Sequence, residues 1–304
     1  MTSFLYRAED CIMSVNRVID GVVPVLMATL LITSIAAPVA AQERVDPNPG
    51  KIAITGGFDF RNAYMFRGIL QDDTGIIAWP HADLGLGLRS GDGGLKNVSL
   101  HVGTWNSLNS GVAGSDGRSG KPWYESDVYA TLGLRFGGGV SVATTYTAYT
   151  SPNSMFTTVK EIGLKVAVDD DSGRRAAALN PYASVAFELD TKPGIGQLDG
   201  GFKAGRYLEL GAAPGYSVRR IGVAVPVKVG LSLGNYYELA GKDRKFGYAS
   251  FAGIVTVPLG GIASSRGWNL HGGVEYQALG DMAKAINDAD GSKVIGSLGV
   301  GFSY

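Results

Sequence analysis

Apolar and polar residues alternate along most of the chain after residue 51, and no stretch keeps a helical period over three turns. The last twelve residues, Lys293 to Tyr304, show the pattern clearly. In an extended chain Leu298 and Val300 point to one face, while Ser297 and Gly299 point to the other. This alternation predicts a two-faced strand that ends the chain.

Segments with the same period of two recur along the chain, and turn residues separate one segment from the next. Strand nine has the cleanest alternation, although Pro226 falls on its polar face, and proline removes a hydrogen-bond donor from a sheet. The pattern predicts twelve strands, at residues 52–66, 79–88, 95–105, 123–136, 140–149, 156–168, 181–190, 207–210, 222–233, 246–257, 269–277 and 293–304.

The connections between these strands differ in length in a regular way. Those after strands two and four are short, whereas those after strands three, seven and eleven are long, and an acidic connection after strand six departs from this rule. Outer-membrane barrels have an even number of strands, short periplasmic turns and longer outer loops. The pattern therefore predicts an all-β fold, a transmembrane antiparallel up-and-down β-barrel, with strand one pairing with strand twelve.

A soluble β-sandwich is the alternative fold, because its strands also alternate. Its outward face meets water and would carry charge, whereas the Val, Leu and aromatic face of these strands is nearly continuous. The charges are confined to the opposite face, and this favours the barrel.

The N-terminus carries an apolar run from Val22 to Ala41 that ends in small residues. Val39 and Ala41 suit the −3 and −1 positions of a signal-peptidase site, so we expect residues 1–41 to be a cleaved signal peptide. Residues 42–51 would be a periplasmic linker and residues 52–304 the barrel. A membrane-spanning helix is the competing interpretation of the apolar run. Initiation at Met13 would shorten the unusually long segment before it.

Composition excludes several classes of function. The formal net charge is zero, so nothing indicates the basic surface that nucleic-acid binding needs. Cys11 is the only cysteine and lies in the predicted signal peptide, which excludes disulfides and thiolate metal clusters from the processed chain. His81, His101 and His271 occur singly, without the spacing of a zinc site, and no cofactor is predicted.

If the apolar face meets lipid, the opposite face lines a lumen that carries charges of both signs. Inward glycines should leave room beside these charges, which favours a narrow passage over a filled lumen. We expect Arg61 and Arg67 to form a basic constriction that favours small anions, with a structural arginine–carboxylate network as the alternative. The predicted pore-lining residues are Asp59, Arg61, Arg67, Asp83, His101, Asp127, Arg135, Lys165, Lys228 and Glu275.

One lumenal group has the residue types of a hydrolase. His81, Asp83, Ser99 and His101 lie on two strands joined by a tight turn, and serine, histidine and aspartate together make a catalytic triad. No nucleophile motif surrounds Ser99, so we interpret these as ordinary lumenal residues and expect no enzyme activity.

Two structural roles are also predicted. We expect His271 and Glu275 to form a lumenal pair. The aromatic residues near strand ends are expected to form girdles at the membrane interfaces, and they are Tyr64, Phe66, Trp79, Trp105, Trp123 and Trp268.

Two segments resemble the TorF-type porins, a proteobacterial outer-membrane family also known as Gcw_chp proteins. They are F-D-F-R-N-A-Y-M-F-R-G-I-L-Q at Phe58 to Gln71 and H-V-G-T-W-N-S-L at His101 to Leu108. The chain departs from the family at Leu70, where a small polar residue is common, and its loops are longer. The resemblance implies an outer-membrane location and a pore function, and it supplies no catalytic residues.

We therefore expect an outer-membrane barrel of a Gram-negative bacterium that acts as a narrow channel for passive diffusion of small polar solutes. A non-conducting barrel that serves as a structural or interaction platform is the first alternative, and a lipid-modifying hydrolase is the second. The expected partners are outer-membrane lipids, small polar solutes and the barrel assembly machinery. Phe302 and Tyr304 would supply the C-terminal signal that this machinery recognises.

Overall fold

The computed structural model describes residues 51–170, 178–189, 203–218, 220–239, 241–260 and 267–304. The predicted signal peptide and all but the last residue of the predicted linker lie outside these residues. Asp190 and parts of the connections after predicted strands six and seven lie outside them as well.

Twelve antiparallel strands form a closed barrel in which each strand pairs with its neighbours in the chain and the last pairs with the first. The predicted number of strands is confirmed. The strands are β1 Ile52–Arg61, β2 Ile77–Ser90, β3 Leu95–Asn109, β4 Trp123–Phe136, β5 Val140–Thr150, β6 Val159–Val168, β7 Tyr182–Glu188, β8 Arg206–Ala212, β9 Ile221–Ala224 continued by Val227–Gly234, β10 Phe246–Pro258, β11 Trp268–Leu279 and β12 Ser292–Ser303.

β9 is interrupted where the sequence placed a proline in a strand. Pro226 has no N–H to donate, so the ladder to β10 breaks between Ala224 and Val227. The backbone carbonyl of Pro226 still accepts a hydrogen bond from the Ala252 N–H at 2.9 Å. β9 therefore runs along the barrel wall as two segments, and both segments pair with β10.

Short strands and helices lie at the two ends of the barrel. Gly215–Val218 prolongs β8 and pairs with the first segment of β9, and Glu238–Leu239 pairs with Lys242–Asp243. The helical segments are α1 Val112–Ser115, α2 Asp281–Ile286 and a 3₁₀ turn at Gly137–Gly139. No helix among the described residues is long and apolar enough to cross a bilayer.

The connections give the barrel two different ends. Those after odd-numbered strands lie at one end, which we call the loop end, and they include residues 62–76, 110–122 and 280–291. Those after even-numbered strands lie with the C-terminus at the turn end, and two of them span only residues 91–94 and 137–139. The predicted short connections after strands two and four and long connections after strands three and eleven are confirmed, and the connection after β6 is long at residues 169–181, as the sequence indicated.

The apolar face of the strands points outward. Phe251 and Val294 are each 57% exposed, and large apolar side chains on the neighbouring strands are exposed in the same way. A soluble protein rarely exposes a continuous apolar surface of this extent. β2, β3 and β4 have 14, 15 and 14 residues, which exceeds the ~10 residues that a tilted strand needs to cross a bilayer.

The terminal strand closes the barrel against β1, as its two-faced pattern predicts. Val300 pairs with Phe58, and Tyr304 exchanges two backbone hydrogen bonds of 2.8 and 2.9 Å with Ile54. At the same end the rings of Trp268 and Phe302 lie 5.1 Å apart. The two residues predicted as an assembly signal thus sit at the turn end of the closing seam.

The connection between β1 and β2 does not extend outward. Residues 62–76, which we call the plug, contain a short hairpin of Tyr64–Phe66 and Ile69–Asp72 that contacts side chains of β4, β6 and β10. The predicted continuation of strand one to Phe66 is wrong, because β1 ends at Arg61 and the chain turns into the lumen. The plug fills the loop end, where Trp79, Tyr236 and Tyr248 are at most 1% exposed.

Candidate functional site: the lumen and its plug

A tight turn forms the tip of the plug. Arg67 and Gly68 both have positive φ, at 49° and 82°, as the two central residues of a type I′ hairpin require. Glycine adopts this conformation readily, but for arginine it is uncommon. The turn places the Arg67 side chain at the far point of the hairpin, opposite the strand from which the plug departs.

Arg67 binds the wall on the other side of the barrel. Its Nη1 and Nη2 atoms donate to the two carboxylate oxygens of Glu161 on β6, at 2.7 and 2.8 Å. Nη1 also donates to the hydroxyl of Tyr236 at 3.0 Å. Burial raises the pKa of Tyr236 above its ordinary value, so this hydroxyl stays neutral. Such a forked, charge-assisted pair is among the stronger polar contacts in proteins.

Neutral hydrogen bonds hold the backbone of the tip. Asn287, which follows α2, accepts from the Leu70 N–H and donates to the Gly68 carbonyl, both at 2.9 Å. The Tyr237 hydroxyl donates to the Arg67 carbonyl at 2.9 Å. The tip is therefore fastened by polar contacts to two other loops.

The other end of the plug is anchored by Asp72. One carboxylate oxygen accepts from the backbone and hydroxyl of Thr74, at 3.0 and 2.7 Å. The other accepts from Asn109 and from the Ala113 N–H in α1, each at 3.1 Å. Asp72 thus joins the plug to the end of β3 and to the following loop.

Most of the predicted aromatic girdle lies inside the barrel instead of at the membrane interface. Tyr64 and Trp79 are buried, and they pack with Trp105 and Phe66 where the plug meets the wall. Only Trp123 and Trp268 have the exposure predicted for interface residues, at 44% and 41%. The prediction is wrong for the other four because the plug supplies an apolar contact inside the lumen.

The wall around the plug is rich in buried acids. The basic side chains in the same part of the lumen are Arg61, Arg67 and Lys228. The buried acids of the wall are Glu125, Asp127, Glu161, Glu188 and Glu275, and the plug itself adds Asp72. Glu125 accepts a 2.7 Å hydrogen bond from Tyr64 of the plug, whereas one oxygen of Asp127 has no hydrogen-bond partner among the described residues. Among the described residues, the loop end of the lumen therefore has more buried acids than bases.

Arg61 and Arg67 do not form one basic constriction. Arg67 makes the arginine–carboxylate contact that was the alternative prediction. Arg61 is buried at the end of β1, with its guanidinium carbon 4.4 Å from the ring centre of Trp79. Its nitrogens have no hydrogen-bond partner among the described residues.

Below the plug, the three histidines of the chain lie on β2, β3 and β11. His271 Nε2 lies 2.6 Å from one carboxylate oxygen of Asp59, and His81 Nδ1 lies 3.6 Å from the other oxygen of the same carboxylate. His101 contacts Asp83 at 2.8 Å. The His101 side chain is 37% exposed, so this part of the lumen is open to solvent.

Gly299 allows Asp59 and His271 to meet. It lies between them in register, paired with Asp59 on β1 and with His271 on β11. A Cβ atom here would overlap the Asp59 carboxylate and lie 2.6 Å from His271 Nε2. The predicted His271–Glu275 pair is wrong, because Glu275 instead lies 3.8 Å from Lys228 and accepts from Gln277.

We expect Gly299→Ala to destabilise the barrel by about 1–3 kcal/mol, because it forces this His–Asp contact apart. Gly253→Ala is the matched control, since its Cβ would meet nothing within 4 Å. Urea-induced unfolding in detergent or lipid measures the difference. Equal stability of the two variants would contradict the prediction.

Several inward glycines hold side chains of neighbouring strands, whereas the sequence predicted that they would leave free room in the lumen. His81 lies against Gly57, His101 against Gly85, and Tyr182 against Gly211. Each would clash with an added Cβ atom at 2.5 to 2.8 Å. The glycines thus make room for wall side chains.

The remaining predicted pore residues lie at different depths. Lys165 lies 4.0 Å over the ring of Tyr182 in the middle of the barrel. Arg135 is at the turn end, where it pairs with Asp169 at 2.6 Å and its side chain is 58% exposed. Lys165 is therefore lumenal, while Arg135 belongs to the rim.

The hydrolase-like group is only partly assembled. Asp83 and His101 are in contact, but His81 turns to Asp59 and no hydrogen bond joins Ser99 to His101. Ser99 Oγ instead lies over Gly133, where an added Cβ would be 2.8 Å away. The structure thus brings together two of the three residue types that a triad needs.

No family model matches the chain, and no curated protein matches it in sequence. Solved structures do resemble it. The NanC porin is 13% identical, with 83% of this chain and 98% of that chain covered and a TM-score of 0.43. The COG4313 outer membrane channel from Pseudomonas putida F1 is 10% identical, with 87% and 99% covered and a TM-score of 0.47.

Outer membrane phospholipase A from Escherichia coli is 12% identical, with 87% of this chain and 96% of that chain covered and a TM-score of 0.44. Channels and an enzyme thus appear side by side among the similar structures. At these identities and TM-scores, the likenesses have no bearing on the activity of this chain.

Proposed function

We propose that the protein is an outer-membrane channel for passive diffusion of small polar solutes, closed at its loop end by the plug. The location is supported by the apolar outer face and by strands long enough to cross a bilayer. The resemblance of Phe58 to Gln71 to TorF-type porins supports the same assignment.

One observation carries the channel proposal. The lumen below the plug is lined by partly exposed charged side chains, including Asp59, His81 and Asp83 at 17%, 22% and 18%. The plug above it is held by polar contacts at Glu161, Asn287 and Asp72, and also by the packing of its apolar and aromatic side chains against the wall. A charged lumen below a plug that polar contacts fasten at both of its ends suits a conduit that opens when the plug moves.

The buried acids set the expected selectivity. Once Arg67 leaves Glu161, the buried carboxylates among the described residues of the loop end outnumber the buried bases, which favours cations over anions. This differs from the anion preference expected from Arg61 and Arg67 alone. A channel of this kind should pass potassium more readily than chloride.

Recordings from the refolded protein in planar bilayers test the proposal. We expect a mostly closed channel with brief openings, and a reversal potential across a KCl gradient of the sign that cation preference gives. A barrel without current, both unmodified and with the plug deleted, would show that it is a non-conducting platform. Hydrolysis of phospholipid by the purified protein would favour the enzyme alternative.

A further inference from the structure

The wall residues around Arg67 form a receptor for a guanidinium group. Glu161 supplies one carboxylate oxygen to each of the two terminal nitrogens of the guanidinium, and Tyr236 supplies a hydroxyl. The ring of Tyr207 lies beneath, with its centre 4.2 Å from the guanidinium carbon. A planar fork of donors between a carboxylate and an aromatic face is the arrangement that distinguishes guanidinium from a simple ammonium ion.

This receptor belongs to the barrel and its loops. Glu161 is on β6, Tyr207 on β8 and Tyr236 in the loop after β9. Tyr149 on β5 donates to Glu161 at 3.3 Å and so holds the carboxylate from a further side. Removing the Arg67 side chain would leave all four of these groups in place.

The receptor also needs a cation. Glu161, Tyr207 and Tyr236 are buried, and Glu188 lies directly opposite Glu161 on the neighbouring strand. Like charges that face each other across two strands destabilise the sheet. An unpaired buried carboxylate is costly, so a vacated receptor favours any cation that fits it.

We propose that this receptor, which we call the tyrosine–glutamate cage, binds guanidinium-bearing solutes, and that Arg67 occupies it as an internal ligand. The inference rests on the proposed channel function, and it names the class of solute that competes with the plug. Because Arg67 is tethered, its effective concentration at the cage is on the order of millimolar or higher. A competing solute must therefore reach similar concentrations before it displaces the plug.

Calorimetric titration of guanidinium chloride into the refolded Arg67→Ala variant tests the cage. We expect binding with a dissociation constant on the order of millimolar, and weaker binding by the unmodified protein, in which Arg67 competes for the cage at an effective concentration on the order of millimolar or higher. Adding Glu161→Gln should weaken binding at least about tenfold, because the carboxylate provides the charge-assisted fork. Methylammonium should bind more weakly than guanidinium.

Arg67→Met serves if Arg67→Ala fails to refold, because it keeps an apolar stem but carries no charge. Equal heats from the Arg67 variant with and without Glu161→Gln would overturn the cage. The titration does not depend on conduction. A cage that binds guanidinium in a barrel without current would refute the channel proposal alone, and a conducting barrel whose cage binds nothing would refute the inference alone.

Discussion

Arg67→Ala is expected to raise the open probability of the channel at least about tenfold. Breaking a buried ion pair by removing one partner costs about 3–5 kcal/mol. Arg67 and Glu161 are 16% and 8% exposed in their side chains, so we take the lower value. About 3 kcal/mol shifts a closed-to-open ratio by roughly a hundredfold, and the hydrogen bonds from Asn287 and Tyr237 retain part of the closed population.

Single-channel recording measures this change, and two further variants define its cause. Glu161→Ala should open the channel as Arg67→Ala does, because it removes the other half of the pair. Arg89→Ala is the matched control, since Arg89 is an exposed arginine at the turn end of β2. If both Arg67→Ala and Arg89→Ala leave the open probability unchanged, the pair does not hold the channel closed.

The barrel itself was predictable because its physics is local and repetitive. Each strand must turn one face to lipid and the other to the lumen, so alternation at period two marks every strand from β1 to β12. The closing pair was predictable for the same reason. A barrel has no edges, and the first strand must therefore meet the last.

The plug was not predictable from alternation. The plug also contains strands, at Tyr64–Phe66 and Ile69–Asp72. Because their apolar and polar residues continue the pattern of β1, the pattern does not show where the chain turns into the lumen. The dipeptide Arg67–Gly68 between Phe66 and Ile69 was the available clue, because a short turn between apolar residues indicates a hairpin. This turn lies within the segment that resembles TorF-type porins.

The prediction that aromatic residues near strand ends form membrane-interface girdles was wrong for a related reason. Trp79 and Trp123 are both near the loop end, but Trp79 points inward and packs on the plug, whereas Trp123 is exposed on the outside. Position along a strand does not reveal which face meets lipid when the lumen itself contains an apolar segment. Strand parity, which places Trp79 with His81 and Asp83, would have separated the two cases.

The contacts of the lumenal histidines depend on the register between strands, which the alternation alone does not give. His81, His101 and Asp83 were expected together because a tight turn joins their strands, but Asp59 and His271 are 212 residues apart. They meet because β12 lies between their strands and contributes only Gly299 at that level. Pairing β12 with its two neighbouring strands, residue by residue from Tyr304, would have predicted that Asp59 and His271 are close to each other.

An engineered disulfide between the plug and the wall should abolish conduction. A Cβ atom on Gly68 would lie 3.0 Å from the Cβ of Tyr248 on β10, close to the ~3.8 Å that a disulfide needs. Gly68→Cys with Tyr248→Cys therefore requires a shift of less than about 1 Å to form the bond. In the predicted mature chain, from which Cys11 has been removed, no natural thiol competes.

The oxidised double variant should carry no current, and a reductant should restore openings more frequent than those of the unmodified protein. They become more frequent because cysteine at position 68 adopts a φ of 82° at a cost of about 1 kcal/mol, and because the Tyr248 ring is lost. Each single cysteine variant controls for these changes, since neither can form the bond. If oxidation leaves the current of the double variant unaltered, solute passes around a fixed plug, and the plug is a constriction rather than a gate.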